Sequence, residues 1–182
     1  MPPRIQPVAA PDAEQSALLA KTLAGPDGQP LNIFRTLAHR PELMKRVNAL
    51  GGYFMAHGGI QVRDRELVIL RTAAHAHSTY EIGQHRWIAA RVGLSPEEID
   101  AAADPASTYD WAERDRLLLG FADELVATDT ISDVTWARLS ARFDDHQGVE
   151  LLVLVGFYRM LAGVLNGLDV ELDRSVAEQL IA

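Results

Sequence analysis

The chain has 182 residues, a formal charge of −8 and no cysteine. An apolar share of 48% and a charged share of 23% belong to a packed globular chain of about one domain and exclude a disordered one. Seventeen Lys and Arg against twenty-five Asp and Glu leave no bulk basic surface for nucleic acid or anionic lipid, and the missing thiol excludes disulfides, thiolate metal sites and thiol catalysis.

Residues 1–11 are proline-rich, lack the apolar run of a signal peptide and read as an extended arm. The expected location is therefore the cytoplasm. Asp12 to Ala24 reads as a short helix, stopped by the turn cluster Gly25-Pro26-Asp27-Gly28. Asn32 to His39 forms a second helical piece. Pro41 suits the first position of a third helix reaching about His57, with Leu43, Met44, Val47, Leu50 and Phe54 as its apolar stripe.

Asp64 is the expected cap of the next helix, to about His77. Its consecutive Leu67-Val68-Ile69-Leu70 predict burial on several sides. Ser78 to Val92 continues as helix and Gly93 ends it. Ser95-Pro96-Glu97-Glu98 opens another with a cap, a proline and a glutamate in the preferred places. Ser107 to Asp110 is expected to open a helix through about Thr128, and Ser132 to cap one reaching Phe143. The last long helix spans about Gln147 to Asn166. It is apolar, yet Arg159, Asn166 and three glycines favour a buried core helix over a membrane span. No segment alternates with period two, so the fold class is all-α. The similarity of Arg65–Leu70 to Val149–Leu154 hints at two related helical halves. The expected organisation is an N-terminal arm and short helix over residues 1–29, then one helical domain over residues 30–182.

Polar chemistry concentrates between Glu66 and His85. Glu81 and His85 stand four apart and share one helix face. A carboxylate beside an imidazole can orient and tune it for proton transfer near neutral pH. Tyr80 and Gln84 are expected hydrogen-bond donors to an oxyanion. The same residues have a purely structural reading. Ser78-Thr79-Tyr80-Glu81 is a capping box in form, Glu81–His85 is an ordinary helix pair, and Glu66 in a first turn suits the helix dipole. Metal ligation ranks lower: His75 and His77 point to different sides of a helix, and no His-Glu-x-x-His occurs. His39, His57 and His146 read as helix-end residues. Arg63, Arg65 and Arg71 read as solvated faces or anion contacts, and Trp87, Trp111 and Trp136 as core or subunit packing. No nucleophile elbow, P-loop or Gly-x-Gly-x-x-Gly appears.

Asn32-Ile33-Phe34-Arg35-Thr36-Leu37 with Pro41-Glu42-Leu43, the run Arg63–Arg71, and Tyr80-Glu81-x-x-Gln84-His85 followed by Ala89 and Gly93-Leu94 together resemble the carboxymuconolactone decarboxylase-like family. The resemblance extends through Ile131-Ser132-Asp133 and Trp136 and covers roughly residues 30–173. It implies an alkylhydroperoxidase-D-like helical fold assembling as a trimer or hexamer. One branch of that family uses a Cys-x-x-Cys pair with a Glu and a His as proton relay. The relay positions correspond to Glu66 and His85, and the cysteine positions fall on Ser78 and Glu81, which removes the redox chemistry. The other branch decarboxylates a lactone acid without metal or organic cofactor. The implied catalytic set is His85 as proton carrier, Glu81 orienting it and Glu66 completing the relay. Tyr80, Ser78, Gln84 and Arg71 are the implied substrate contacts, and the implied partners are a small-molecule substrate and further copies of the chain. The competing expectations are a relative that runs another acid/base step, and a non-catalytic oligomer that binds a ligand.

Overall fold

The computed structural model describes residues 2–181. Ten helices form among them: α1 (Ala13–Leu19), α2 (Asn32–Leu37), α3 (Pro41–Ala56), α4 (Val62–His75), α5 (Thr79–Arg91), α6 (Pro96–Ala102), α7 (Glu113–Thr128), α8 (Asp133–Ser140), α9 (Asp145–Leu168) and α10 (Arg174–Ile181). No strand forms among the described residues; Ala24 and Pro30 make one isolated bridge. The fold is all-α, as its sequence periodicity predicts.

Helix α4 is the axis. Its side chains from Asp64 to Ala74 are buried, because α5, α6, α7 and α9 pack around it. The apolar run Leu67–Leu70 has no solvent side. Val68 and Ile69 join the main core with Phe121, Leu151, Leu154 and Leu165. Leu67 and Leu70 face a second cluster with Leu94, Ile99, Trp111 and Leu119. Helix α9 buries Leu151, Leu154, Val155, Tyr158, Leu161 and Leu165, the spacing of one helical face. It is the one helix among the described residues long and apolar enough to cross a membrane, and 56% of its most apolar window is buried in the protein.

Several boundaries differ from the sequence reading. The first helix stops at Leu19, and residues 20–31 form a loop. Gln61, not Asp64, precedes α4; Asp64 sits in the first turn and its carboxylate takes two hydrogen bonds from Arg114 at 2.6 and 3.0 Å. The tertiary ion pair replaces the local cap. Residues Ser107–Asp110 stay extended, and α7 starts at Glu113. Helix α10 was not expected; it follows a left-handed residue at Asp169 and a short segment returning to α5. The arm is not free: Arg4 N donates to Leu168 O and Val8 N to Arg35 O.

Candidate active site

A cavity of about 310 Å³ lies between α2, α3, α5 and α9. Phe34, Val47, Met55, Ile88, Phe157 and Leu161 make most of its wall apolar. Gly51 and Gly52 of α3 also line it, and a Cβ at Gly52 would meet no atom within 4 Å. One face of α5 gives the cavity Tyr80, Glu81, Gln84 and His85, and Lys21, Thr22, Asn48 and Tyr158 add polar groups from other elements.

His85 Nδ1 meets Glu66 Oε2 at 2.6 Å. With the Glu66 carboxylate as acceptor, Nδ1 carries the hydrogen and Nε2 keeps its lone pair. Nε2 makes no hydrogen bond among the described residues, and the ring borders the cavity. Glu66 is fully buried; its other oxygen accepts from Arg65 Nε at 2.9 Å. Arg65 also donates to the carbonyl of Phe54 at 2.9 Å. The Arg65–Glu66–His85 chain thus spans α4 and α5 and fixes the imidazole from behind. Arg65 is therefore not on a solvated face. The sequence reading paired Glu81 with His85; the structure pairs Glu66 with it, because α5 crosses the start of α4 closely enough to bring residue 66 beneath residue 85.

Glu81 is left without a partner. Its backbone N–H donates to Ser78 Oγ at 3.4 Å, the first half of a capping box. Its side chain does not fold back to complete the box, and neither carboxyl oxygen has a hydrogen bond. Burial pushes this carboxyl up to about 8, opposed by Ser78. It is therefore mostly neutral at pH 7. Ser78 itself is fully buried as the cap of α5 and does not line the cavity.

Tyr80 and Gln84 are held by a residue the sequence reading missed. Tyr80 Oη donates to Asp173 Oδ2 at 2.8 Å, and Gln84 Nε2 donates to the same oxygen at 2.7 Å. Asn32 N donates to Asp173 Oδ1 at 2.8 Å, and Tyr80 Oη accepts from Ile33 N at 3.2 Å. Burial raises both Asp173 and the Tyr80 phenol above their ordinary ranges. The network clips the segment before α10 onto α5, where Gly83 leaves room for Leu172. The Tyr80 hydroxyl is thus fully engaged and is not a free donor. Gln84 keeps Oε1 buried and unpartnered.

Arg71 is not part of this cavity. It is buried towards α6 and α7, donating to Ala101 O at 3.3 Å and lying 3.5 Å from Asp123. Its position five residues beyond Glu66, about 1.4 turns, puts it on a different side of α4. A second missed residue is Tyr158 of α9. Its ring stands edge-on to His85 with centroids 4.9 Å apart, it lines the cavity, and its hydroxyl has no hydrogen bond among the described residues. Burial, then the charge of Glu66 and that of Glu81 once it ionises, hold that phenol protonated. A lone tyrosine in an otherwise apolar helix is the only trace of it in the sequence.

The remaining histidines are elsewhere. His75 Nε2 meets Asp123 Oδ1 at 2.7 Å, and His77 follows the helix end with φ of 50°. Among the described residues, no three His, Asp or Glu side chains converge as a metal site. Trp111 is core, Trp87 carries Arg91 over its ring, and Trp136 is partly exposed against Gly148.

This architecture is an alkylhydroperoxidase-D-like fold. The alkylhydroperoxidase AhpD core of an uncharacterized peroxidase-related protein from Ralstonia eutropha JMP134 superimposes with a TM-score of 0.74 at 22% identity, covering 82% of this chain and 80% of that one. The debrominase Bmp8 superimposes at 0.79 and 15% identity, covering 97% and 96%. A cysteine-to-alanine variant of Bmp8 in complex with 2,3,4-tribromopyrrole gives 0.77 at 16% identity, covering 100% and 97%. No curated protein matches the sequence. Residues 41–124, from α3 into α7, match the model of the Carboxymuconolactone decarboxylase family, and the chain has no cysteine. That segment contains Arg65, Glu66, Glu81, Gln84 and His85; Tyr158 and Asp173 lie outside it.

Proposed function

We propose that the protein is an enzyme that moves a proton next to the carbonyl of a small cyclic molecule, without a metal or organic cofactor. The observation that carries this is His85, held on Nδ1 by the buried Glu66 while Nε2 stands free at the cavity. Nε2 takes a proton from the carbon beside the carbonyl, or returns one. Glu66 balances the imidazolium that forms, and Arg65 keeps Glu66 in place. As electrons move onto the carbonyl oxygen, the neutral Glu81 carboxyl and the Tyr158 hydroxyl supply hydrogen-bond donors. Decarboxylation of a lactone acid would use the same dienolate stabilisation, and isomerisation would use the same proton relay. The debrominase complexed with a bromopyrrole supports a small ring as the occupant of this fold's cavity. The matched family supports acid/base chemistry.

The proposal keeps a small-molecule substrate, a homo-oligomer and a cytoplasmic location, with no nucleic-acid or membrane partner. The charge of −8 and the packing of α9 support the last two exclusions. The test is exchange of deuterium from solvent into the carbon next to the carbonyl, followed by NMR across a panel of cyclic ketones and lactones. Exchange that His85→Ala abolishes is the expected result. Exchange that survives His85→Ala moves the chemistry elsewhere, and no exchange with any member favours the ligand-binding reading.

A further inference from the structure

Glu81 and Gln84 line the cavity, and among the described residues three of their buried atoms have no hydrogen-bond partner: both carboxyl oxygens of Glu81 and Oε1 of Gln84. Glu81 and Gln84 are three apart on α5, so they form one row on the same face. An orphaned buried polar group costs free energy unless a ligand completes it. The orientation of Gln84 is set by Asp173: the amide N–H is held by that carboxylate, so the carbonyl oxygen is the end presented to the cavity. Gln84 therefore asks for a hydrogen-bond donor.

The cavity holds no buried counter-ion for a permanent anion. Among the described residues, the one Lys or Arg that lines it is Lys21, which is solvent-exposed. Arg65 is turned to Glu66 and a backbone carbonyl, and Arg71 faces α6 and α7. Asp173 lies directly behind Gln84. A carboxylate in the apolar interior would be buried without a counter-ion and beside an acid. The volume of about 310 Å³ is at the small end of ligand sites, room for a ring system rather than an extended chain.

The geometry points to an uncharged, ring-sized enol or phenol as the ligand class, its hydroxyl donating to Gln84 Oε1 and accepting from the Glu81 carboxyl. The inference rests on the reading of this cavity as the active site, and an enol is the species proton transfer beside a ring carbonyl would produce. It narrows the substrate to a molecule without a carboxylate on the part that enters the cavity.

The experiment titrates the full-length protein at pH 7 by calorimetry with three probes of one shape: β-naphthol, its methyl ether and β-naphthoate. β-Naphthol is expected to bind at least about tenfold more tightly than the ether, which has no donor, and than the carboxylate. Gln84→Met is expected to remove that preference and leave the ether unchanged. Gly52→Leu, which fills the cavity from α3, is expected to weaken all three. β-Naphthoate binding as well as the alcohol, or the alcohol and ether binding equally, overturns the ligand class and leaves the cavity as the site. No binding of any probe, or binding indifferent to Gly52→Leu, overturns the cavity itself and the proposed function with it. The probe series on the unmodified protein decides the class even if Gln84→Met fails to fold.

Discussion

The two sides of the α4–α5 pair treat buried charge differently. Towards α6 and α7, carboxylates and guanidinium groups close on one another, except that Arg71 keeps Nε and Nη1 buried without a hydrogen bond. Arg63 donates to both oxygens of Asp115 at 2.8 and 3.0 Å and to Glu98 at 2.5 Å, and Arg114 holds Asp64. The hydrogen bond to Asp115, against the cost of burial and with help from Glu98, keeps the Arg63 guanidinium charged beyond its ordinary range. Towards α3 and α9, Glu66 and His85 are paired from behind, but Glu81 and Gln84 oxygens are left empty. Satisfied pairs serve the fold. Unsatisfied atoms at a cavity weaken the fold and are available to a ligand. Unlike the Arg71 nitrogens, the atoms of Glu81 and Gln84 belong to residues that line a cavity, where a small molecule can complete them.

The largest expected effect breaks the functional side. His85→Ala should lower kcat by about 10²–10⁴-fold on any cyclic ketone the protein turns over, with its helical circular dichroism retained. Next, Glu66→Gln leaves the buried Arg65 without its carboxylate. A loss of about 3–5 kcal/mol in urea unfolding is expected, where a loss under ~1 kcal/mol would make the pair dispensable.

Glu81→Gln should behave oppositely, and its sign depends on pH. The unfolded carboxyl loses its proton near 4.5 and the folded one near 8. Between these values the folded state holds the extra proton, so wild-type stability is full below 4.5 and falls as pH rises through 8. The glutamine variant lacks that fall. Its stability relative to wild type should rise by a few kcal/mol, on the order of the pKa shift, from about pH 5 to about pH 9. Parallel pH curves for the two proteins would place Glu81 in contact with water or a hidden partner. The smallest effect is Gly52→Ala, which removes a glycine from the interior of α3. It should stabilise by about 0.5–1 kcal/mol in thermal unfolding while weakening ligand binding.

Much of this was legible in the chain. Leu67–Leu70 marked α4 as buried all round, and Glu66, Glu81 and His85 stood out as the densest titratable set. The pairing among them was not legible. Local spacing favoured Glu81–His85, yet helix crossing put Glu66 under the imidazole. Arg71 has the right chemistry on the right helix, and five residues of helix, about 1.4 turns, aim it elsewhere. Asp173 lies 89 residues beyond Gln84 and Tyr158 sits in an apolar run, so neither had a local signal. Asp64 looked like a cap because its partner, Arg114, is 50 residues away.

The absence of cysteine was fixed by composition, and with it the loss of thiol chemistry from the positions of Ser78 and Glu81. Periodicity fixed the helices, because one buried face per helix is a local property of the chain. The tertiary structure decided which carboxyl is a partner and which is free. Glu66 lies where Arg65 and His85 both reach it, whereas the Glu81 carboxyl is buried beside the cavity with no hydrogen bond among the described residues. Solvation and pairing depend on neighbours distant in sequence, and those neighbours make one glutamate a support and the other an uncharged acid at pH 7.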